Sequence, residues 1–148
     1  MKDILFFTNN INKINEIKNL TKEYKINIYS QKDYRIEEEP KENGKSFAEN
    51  AKIKSDFGYK LTKIPCFADD SGICIEALNG KPGIYSKRFL NNFKNKNDCF
   101  NFIIKTANKA KNNKAHFKTS ICLTTFNGYN IVFEGRVDGS ISKFISGN

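Results

Sequence analysis

Residues 67–89 read F-A-D-D-S-G-I-C-I-E-A-L-N-G-K-P-G-I-Y-S-K-R-F, and this stretch decides how the rest of the chain is understood. Pro65-Cys66-Phe67-Ala68 is a short apolar run with the composition of a buried strand. It leads into two acids, a serine and a glycine, an arrangement that delivers carboxylates to the end of a strand. Strand side chains alternate between faces, so Asp69 and Asp70 point in opposite directions. One is free to face a cleft while the other braces the turn, and Gly72 lets the backbone bend. Carboxylate oxygens beside a hydroxyl suit Mg²⁺, which takes hard oxygen ligands and shares its shell with water and phosphate. A solvated acidic turn is the competing reading of a bare D-D-S-G.

Working outward, Asp3 to Thr8 reads as an apolar strand broken by Thr8-Asn9-Asn10 ahead of a helical period at Ile14, Ile17 and Leu20. Asn10 or Asn12 caps that helix, and the free N–H groups of its first turn form an anion site, with Lys13 adding a charge nearby. Plain capping residues and a solvated lysine would produce the same string. Lys25 to Ser30 is a second strand. The polar stretch from Gln31 to Gly44 carries Glu37, Glu38, Glu39 and Glu42, a solvated loop or the source of a further metal carboxylate. Ser46-Phe47-Ala48-Glu49 is a capping box that starts a helix running to about Leu61.

After the central strand come Ile73 to Leu78 and then Asn79-Gly80-Lys81-Pro82-Gly83, a sharp bend followed by a short helix from Ser86. Arg88 meets a phosphate or pairs with an acid such as Glu76. Asn97 to Lys111 is an amphipathic helix. Ala115 to Phe126 alternates Phe117, Thr119, Ile121 and Leu123 against His116, Lys118, Ser120 and Cys122, the period of a strand. Asn127-Gly128 turns it into a hairpin with Tyr129 to Val137, and Asp138-Gly139 turns again. His116, the single histidine, has no acid or second histidine beside it in sequence, so a Ser-His-Asp hydrolase has no footing.

Three segments, Phe7 to Ile17, Glu42 to Lys54 and the run from Ala68 to Phe89, together resemble the inosine/xanthosine triphosphate pyrophosphatase family, which hydrolyses non-canonical purine nucleoside triphosphates. The resemblance covers nearly the whole chain. It implies that Thr8, Asn9, Asn10, Ile11, Asn12 and Lys13 wrap the triphosphate, matching T-x-N-x-x-K with Asn9 where a small residue is common. It implies that Ser71 contacts phosphate, that Asp70 is both proton acceptor and metal ligand, and that Glu42, two residues before Gly44, is the second ligand of Mg²⁺. In F-x-E-N-A-x-x-K, Asn50 and Lys54 are either structural supports or ligand contacts, and Asp69 is a bracing residue or, as the alternative, touches the metal.

The family's glycine-rich F-G-Y-D loop, and a later lysine and serine-histidine-arginine cluster that hold the purine, have no counterpart before Asn148. The expectation is therefore one domain over residues 1–148 without the base-recognition segment, with weak selectivity for deaminated purines. A remnant that binds nucleotide phosphates without turnover is the alternative, and a nucleotide pyrophosphatase of another base preference a second.

Length and composition agree with an α/β fold of this kind: a mixed, twisted sheet with flanking helices and a nucleotide cleft at the strand ends. The chain of 148 residues has no Pro/Gly/Ser-rich linker. No apolar run reaches the roughly 20 residues that cross a bilayer, and the N-terminal run is too short for a signal peptide, so a cytoplasmic protein without a membrane partner is expected. Cys66, Cys74, Cys99 and Cys122 lack C-x-x-C spacing and read as reduced thiols. The net charge of +9 comes almost wholly from lysines spread along an Asn- and Ile-rich sequence, which favours compositional bias over a nucleic-acid partner. A homodimer is what the family implies for its full-length members.

Overall fold

The structure is a computed structural model that describes residues 2–146. Met1, Gly147 and Asn148 lie outside the described residues. In chain order the elements are β1 (Lys2–Phe6), α1 (Ile11–Leu20), β2 (Ile26–Ser30), α2 (Phe47–Thr62), β3 (Cys66–Ile75), β4 (Lys81–Pro82), α3 (Ser86–Asn91), α4 (Lys96–Ala110), β5 (Lys114–Thr124) and β6 (Asn130–Ser140). The strands form one mixed sheet in the order β2-β1-β3-β5-β6, with β4 paired antiparallel to β3. The fold class is thus the α/β class read from the sequence.

Two compact units divide the chain, Met1–Asp70 with Ser120–Glu134, and Ser71–Thr119 with Gly135–Asn148. In the first, β1 lies parallel to both β2 and β3, and α1 and α2 supply the crossovers that parallel neighbours require. Chain order reverses on either side of β1, and such a switch point is where open α/β sheets bind ligands, beyond the carboxyl ends of the strands. The core beneath it is Leu5, Phe7, Cys66 and Ala68, closed by Tyr29, Ile36, Phe57, Tyr59 and Ile64. Phe6 stacks on Phe67 at 4.4 Å, and Phe7 meets Phe57 edge-on. In the second unit Ile75, Cys99, Ile103 and Ala115 form the core, with Phe89, Leu90 and Phe93 packed on it. The only acids in that unit are Glu76, Asp98 and Asp138.

Several local expectations hold. Ser46 accepts from the Glu49 amide at 3.1 Å and starts α2, while the Glu49 carboxylate reaches the Lys45 amide at 2.7 Å, one residue before the expected cap. Gly128 adopts φ +74 in the hairpin turn, and Asn79, Gly80 and Gly83 all have positive φ in the expected bend. Two turns are absent. Asp69-Asp70-Ser71-Gly72 lies inside β3, which runs unbroken from Cys66 to Ile75, and Asp138-Gly139 lies inside β6. In both places pairing with neighbouring strands outweighs the local turn preference of Asp, Ser and Gly. All four cysteines are free, and burial pushes the Cys66 thiol up to about 12, so it stays a packing residue.

The alternation along β5 is also real, but within the first unit the more buried row is Ser120, Cys122 and Thr124 rather than Ile121 and Leu123. That row faces polar partners. The Thr124 hydroxyl donates to Asp56 at 2.8 Å and lies 2.9 Å from the Ser55 hydroxyl, and Asn130 donates to Asp56 at 2.7 Å. Burial pushes the Asp56 carboxyl up, yet the hydrogen bonds from Lys52, Asn130 and Thr124 outweigh it and hold the group below its ordinary value. The stability this contributes is present above the ordinary carboxylate pKa and lost as pH falls through the lowered one. In urea melts at pH 7 and pH 3, Asp56→Asn should therefore lose less stability on acidification than the parent chain.

Gly58 brings α2 close to the core. A Cβ there would lie 2.5 Å from Cys66 Sγ and 2.8 Å from Phe7 Cδ2, both buried. Overpacking costs about 1–3 kcal/mol, against which alanine returns at most about 1 kcal/mol of helix propensity. Gly58→Ala should lower the urea midpoint by an amount equivalent to about 1–2 kcal/mol, and an unchanged midpoint would show that the core yields.

Candidate active site

Three pieces of backbone carry the polar groups at the switch point. The first is the connection from β1 into α1. Asn10 is its cap: the side-chain Oδ1 accepts from the amides of Asn12 and Lys13 at 3.0 and 3.3 Å, and the Asn10 carbonyl accepts from Ile14. Thr8 Oγ1 accepts from the Asn10 amide at 3.2 Å. The cap therefore occupies two of the amides that the sequence reading left for an anion, because a side-chain acceptor competes for the same donors. Asn9 donates to Glu39 at 2.6 Å, tying the start of the turn to the acidic segment. Ile11 is exposed at the first position of α1.

The second piece is β3. Leu5 pairs with Cys66 and Phe6 with Phe67, and Phe7 donates to the Phe67 carbonyl. Two residues further on, this register brings Asp69 level with the entry to α1, and Asp69 forms an ion pair with Lys13. Asp70, pointing the other way by the strand period, turns to α2 instead. Its Oδ2 accepts from Asn50 Nδ2 at 3.0 Å, and its Oδ1 lies 4.0 Å from Lys54 Nζ. Burial pushes the Asp70 carboxyl above its ordinary value. The Asn50 bond and Lys54 pull it down, and Glu42 and Asp69 push it up again. Ser71 follows, exposed, where the second unit begins.

The third piece is the segment before α2 with the first turns of that helix. Glu42 Oε2 lies 3.2 Å from Lys54 Nζ, so a single ammonium serves both Glu42 and Asp70. Asn50 also accepts from the Gly44 amide at 2.9 Å. The structure thus brings together Glu42, Asp70, Asn50 and Lys54 in one group and Lys13 with Asp69 in another. In the second unit Arg88 lies over the Tyr85 ring at 5.7 Å, and Glu76 accepts from Asn112 at 3.0 Å.

Sequence reasoning had no view of Glu39 at Asn9, nor of the double use of Lys54. Both join residues far apart in the chain, and the only trace is the string E-x-G followed by N-x-x-x-K. Ser86, expected as the start of a short helix, also holds the bend: its hydroxyl accepts from the Ile73 amide at 3.0 Å and donates to the Gly83 carbonyl at 2.7 Å, pinning the bend to β3.

Two oxygen donors held on a shared cation form a set of hard ligands. Among the described residues no cluster of three acidic, histidine or cysteine side chains could hold a metal ion. Mg²⁺ does not need one, since it is commonly held by one or two carboxylates with water and substrate phosphate completing the shell. Glu42 and Asp70 fit that requirement. Hollows of about 400 Å³ beside Lys18 and Tyr29, and of about 430 Å³ beside Phe89 and Ile103, are lined by other residues.

The Ham1 family model matches residues 4–148. A dITP/XTP pyrophosphatase of Leptospira interrogans is 38% identical over 136 residues, covering 92% of this chain and 68% of that protein. One from Borrelia duttonii is 39% identical over 148 residues, covering 96% of this chain and 72% of its own length. Among solved structures, a HAM1 protein from Coxiella burnetii superposes with a TM-score of 0.89 at 28% identity, covering 99% of this chain and 76% of that one. A nucleoside-triphosphatase/dITP/XTP pyrophosphatase from Mycobacterium abscessus gives 0.82 at 31% identity, covering 98% and 77%. With the strand order, the two helix mouths and these matches pointing the same way, the chain belongs to the Ham1 family.

Proposed function

We propose that this chain hydrolyses non-canonical purine nucleoside triphosphates, dITP, ITP and XTP, to the monophosphate and pyrophosphate, clearing them from the nucleotide pool. The observation that carries the reading is the meeting of Glu42 and Asp70 on Lys54, beside an α1 mouth that holds Lys13. Relatives named dITP/XTP pyrophosphatase support the substrate class. We further propose that the enzyme uses Mg²⁺, works in the cytoplasm and pairs as a homodimer. Among the described residues no helix is long and apolar enough to cross a membrane.

In this reading Thr8 to Lys13 and Ser71 bind the polyphosphate, with the Lys13 ammonium exchanging part of its attraction to Asp69 for phosphate oxygens. Glu42 and Asp70 would hold the metal, which when bound neutralises phosphate charge and polarises the reacting phosphorus. Asp70 orients the attacking water and takes its proton. A carboxyl held above its ordinary value by burial is a stronger base than an exposed one. Lys54 keeps the two carboxylates from repelling each other apart before substrate arrives.

Pyrophosphate release from dITP, XTP, ATP and GTP with added Mg²⁺ tests the proposal. Turnover should fall roughly 10²- to 10⁴-fold in Asp70→Asn, the range of a lost general base, while the melting temperature stays near that of the parent. Equal turnover in the two chains would overturn the assignment of Asp70. Nucleotide binding without any pyrophosphate from the parent would leave a binding protein in place of an enzyme.

Lys54→Met should separate charge from shape. Two carboxylates left without their common cation repel, so we expect turnover to drop at least tenfold and the Mg²⁺ concentration needed for half-maximal rate to change. A rate curve that superimposes on the parent's would show that Lys54 has no part in holding the pair.

A further inference from the structure

Charge is divided unequally between the two compact units. The second, Ser71–Thr119 with Gly135–Asn148, holds twelve lysines and arginines against three acids, which gives +9, the net charge of the whole chain. The first holds thirteen of each sign and sums to zero. A compositional bias toward lysine acts on both units, and their cations are nearly equal in number. What sets the second unit apart is its want of acids.

The three acids it does have are committed locally. Glu76 accepts from Asn112 at 3.0 Å, Asp98 accepts from Asn95 at 3.0 Å, and Asp138 pairs with Arg136 at 2.6 Å. Among the described residues no ion pair holds Lys94, Lys96, Lys105 or Lys109, and all four are exposed.

We propose that the outer side of α4 binds single-stranded nucleic acid, with these four lysines on phosphates and the Phe102 ring stacked on a base. Phe102, Lys105 and Lys109 stand at i, i+3 and i+7 and so share one side of the helix. Phe102 is 42% exposed, and its inner side is fixed by Phe89 and Phe93, with ring centres at 6.1 and 5.5 Å. Lys94 and Lys96 follow Phe93 directly and flank the start of α4. A basic face is the electrostatic footprint of nucleic-acid binding, and a steadied, half-open aromatic ring among the cations is what a base stacks on. None of these residues belongs to the candidate active site.

Helix stability does not account for the row. Lys109 suits the negative end of α4, but Lys94 and Lys96 stand at the positive end, where cations are disfavoured. Phosphates drawn to this side would relieve their mutual repulsion. The ring narrows the partner further. A duplex keeps its base faces stacked inside, and an anionic lipid surface offers charge without a flat face.

Anisotropy of a short labelled oligonucleotide of mixed sequence, as DNA and as RNA, tests the proposal on the intact chain over a series of KCl concentrations. The logarithm of the binding constant should fall linearly with that of the salt, by about 0.7 for each phosphate contacted. Lys105→Gln with Lys109→Gln should flatten the slope by about 1.4. Phe102→Leu, which keeps the apolar filling and removes the ring, should weaken binding roughly fivefold or more at every salt concentration and leave the slope unchanged. Lys18→Gln with Lys22→Gln removes the same charge from the first unit and should leave the slope as it is in the parent.

Absence of binding would overturn the proposal. So would equal flattening by the two lysine pairs, which would mean diffuse attraction to net charge, or parent-like affinity in Phe102→Leu. Equimolar dITP should leave the oligonucleotide bound, and displacement would place it at the phosphate groups of the first unit instead. Tighter binding to phosphatidylserine vesicles, indifferent to Phe102→Leu, would make the face a membrane surface and equally overturn the assignment.

Discussion

Like charges brought together in a protein need a cation between them, and in this chain Lys54 supplies it. Its ammonium stands 3.2 Å from Glu42 and 4.0 Å from Asp70, two carboxylates that would otherwise separate or lose charge. The lysine comes from α2, whose start is set by Ser46 and whose body is held to the sheet by Gly58 at the core and by Ser55 and Asp56 against Thr124 and Asn130. The same helix presents Asn50. The placement of α2 is thus the constraint on which the chemistry depends, and most of the first unit's polar network serves to keep that helix in register with the sheet.

The opposite mouth, at α1, follows a different rule. There the sheet register places Asp69, and Lys13 answers it from the helix. Asn10 spends its side chain on capping, which stabilises the helix start but leaves fewer amides for a ligand. Under the proposed function, phosphate recognition at this mouth would lean on Lys13 and on side chains more than on a bare helix terminus. The ion pair with Asp69 also keeps the Lys13 ammonium near the strand that carries Asp70.

Much of this could be read from the string itself. The opening strand, turn and helix, the start of α2 at Ser46, and the hairpin at Asn127-Gly128 follow from periodicity and from residues with narrow conformational preferences. The divergence of Asp69 and Asp70 follows from the two-residue period of any strand. What could not be read is of another kind. Asp69-Asp70-Ser71-Gly72 and Asp138-Gly139 look like turns because turn preference is local, whereas the strand bonds that override it come from segments far away in sequence. The buried row of Ser120, Cys122 and Thr124 is invisible to a hydrophobic pattern, since its polar atoms are satisfied by α2. The contacts of Asn9 with Glu39, and of Lys54 with both acids, span separations that no local pattern encodes.

The uninterrupted course of β3 has an evolutionary consequence. Because neighbouring residues of a strand serve opposite faces, one residue gained or lost between Cys66 and Asp69 would send each acid to the other's helix. Substitutions in this segment alter one function at a time, but a single-codon insertion or deletion would swap the two at once. Length, more than composition, is therefore the property of this strand that natural variation has least freedom to change.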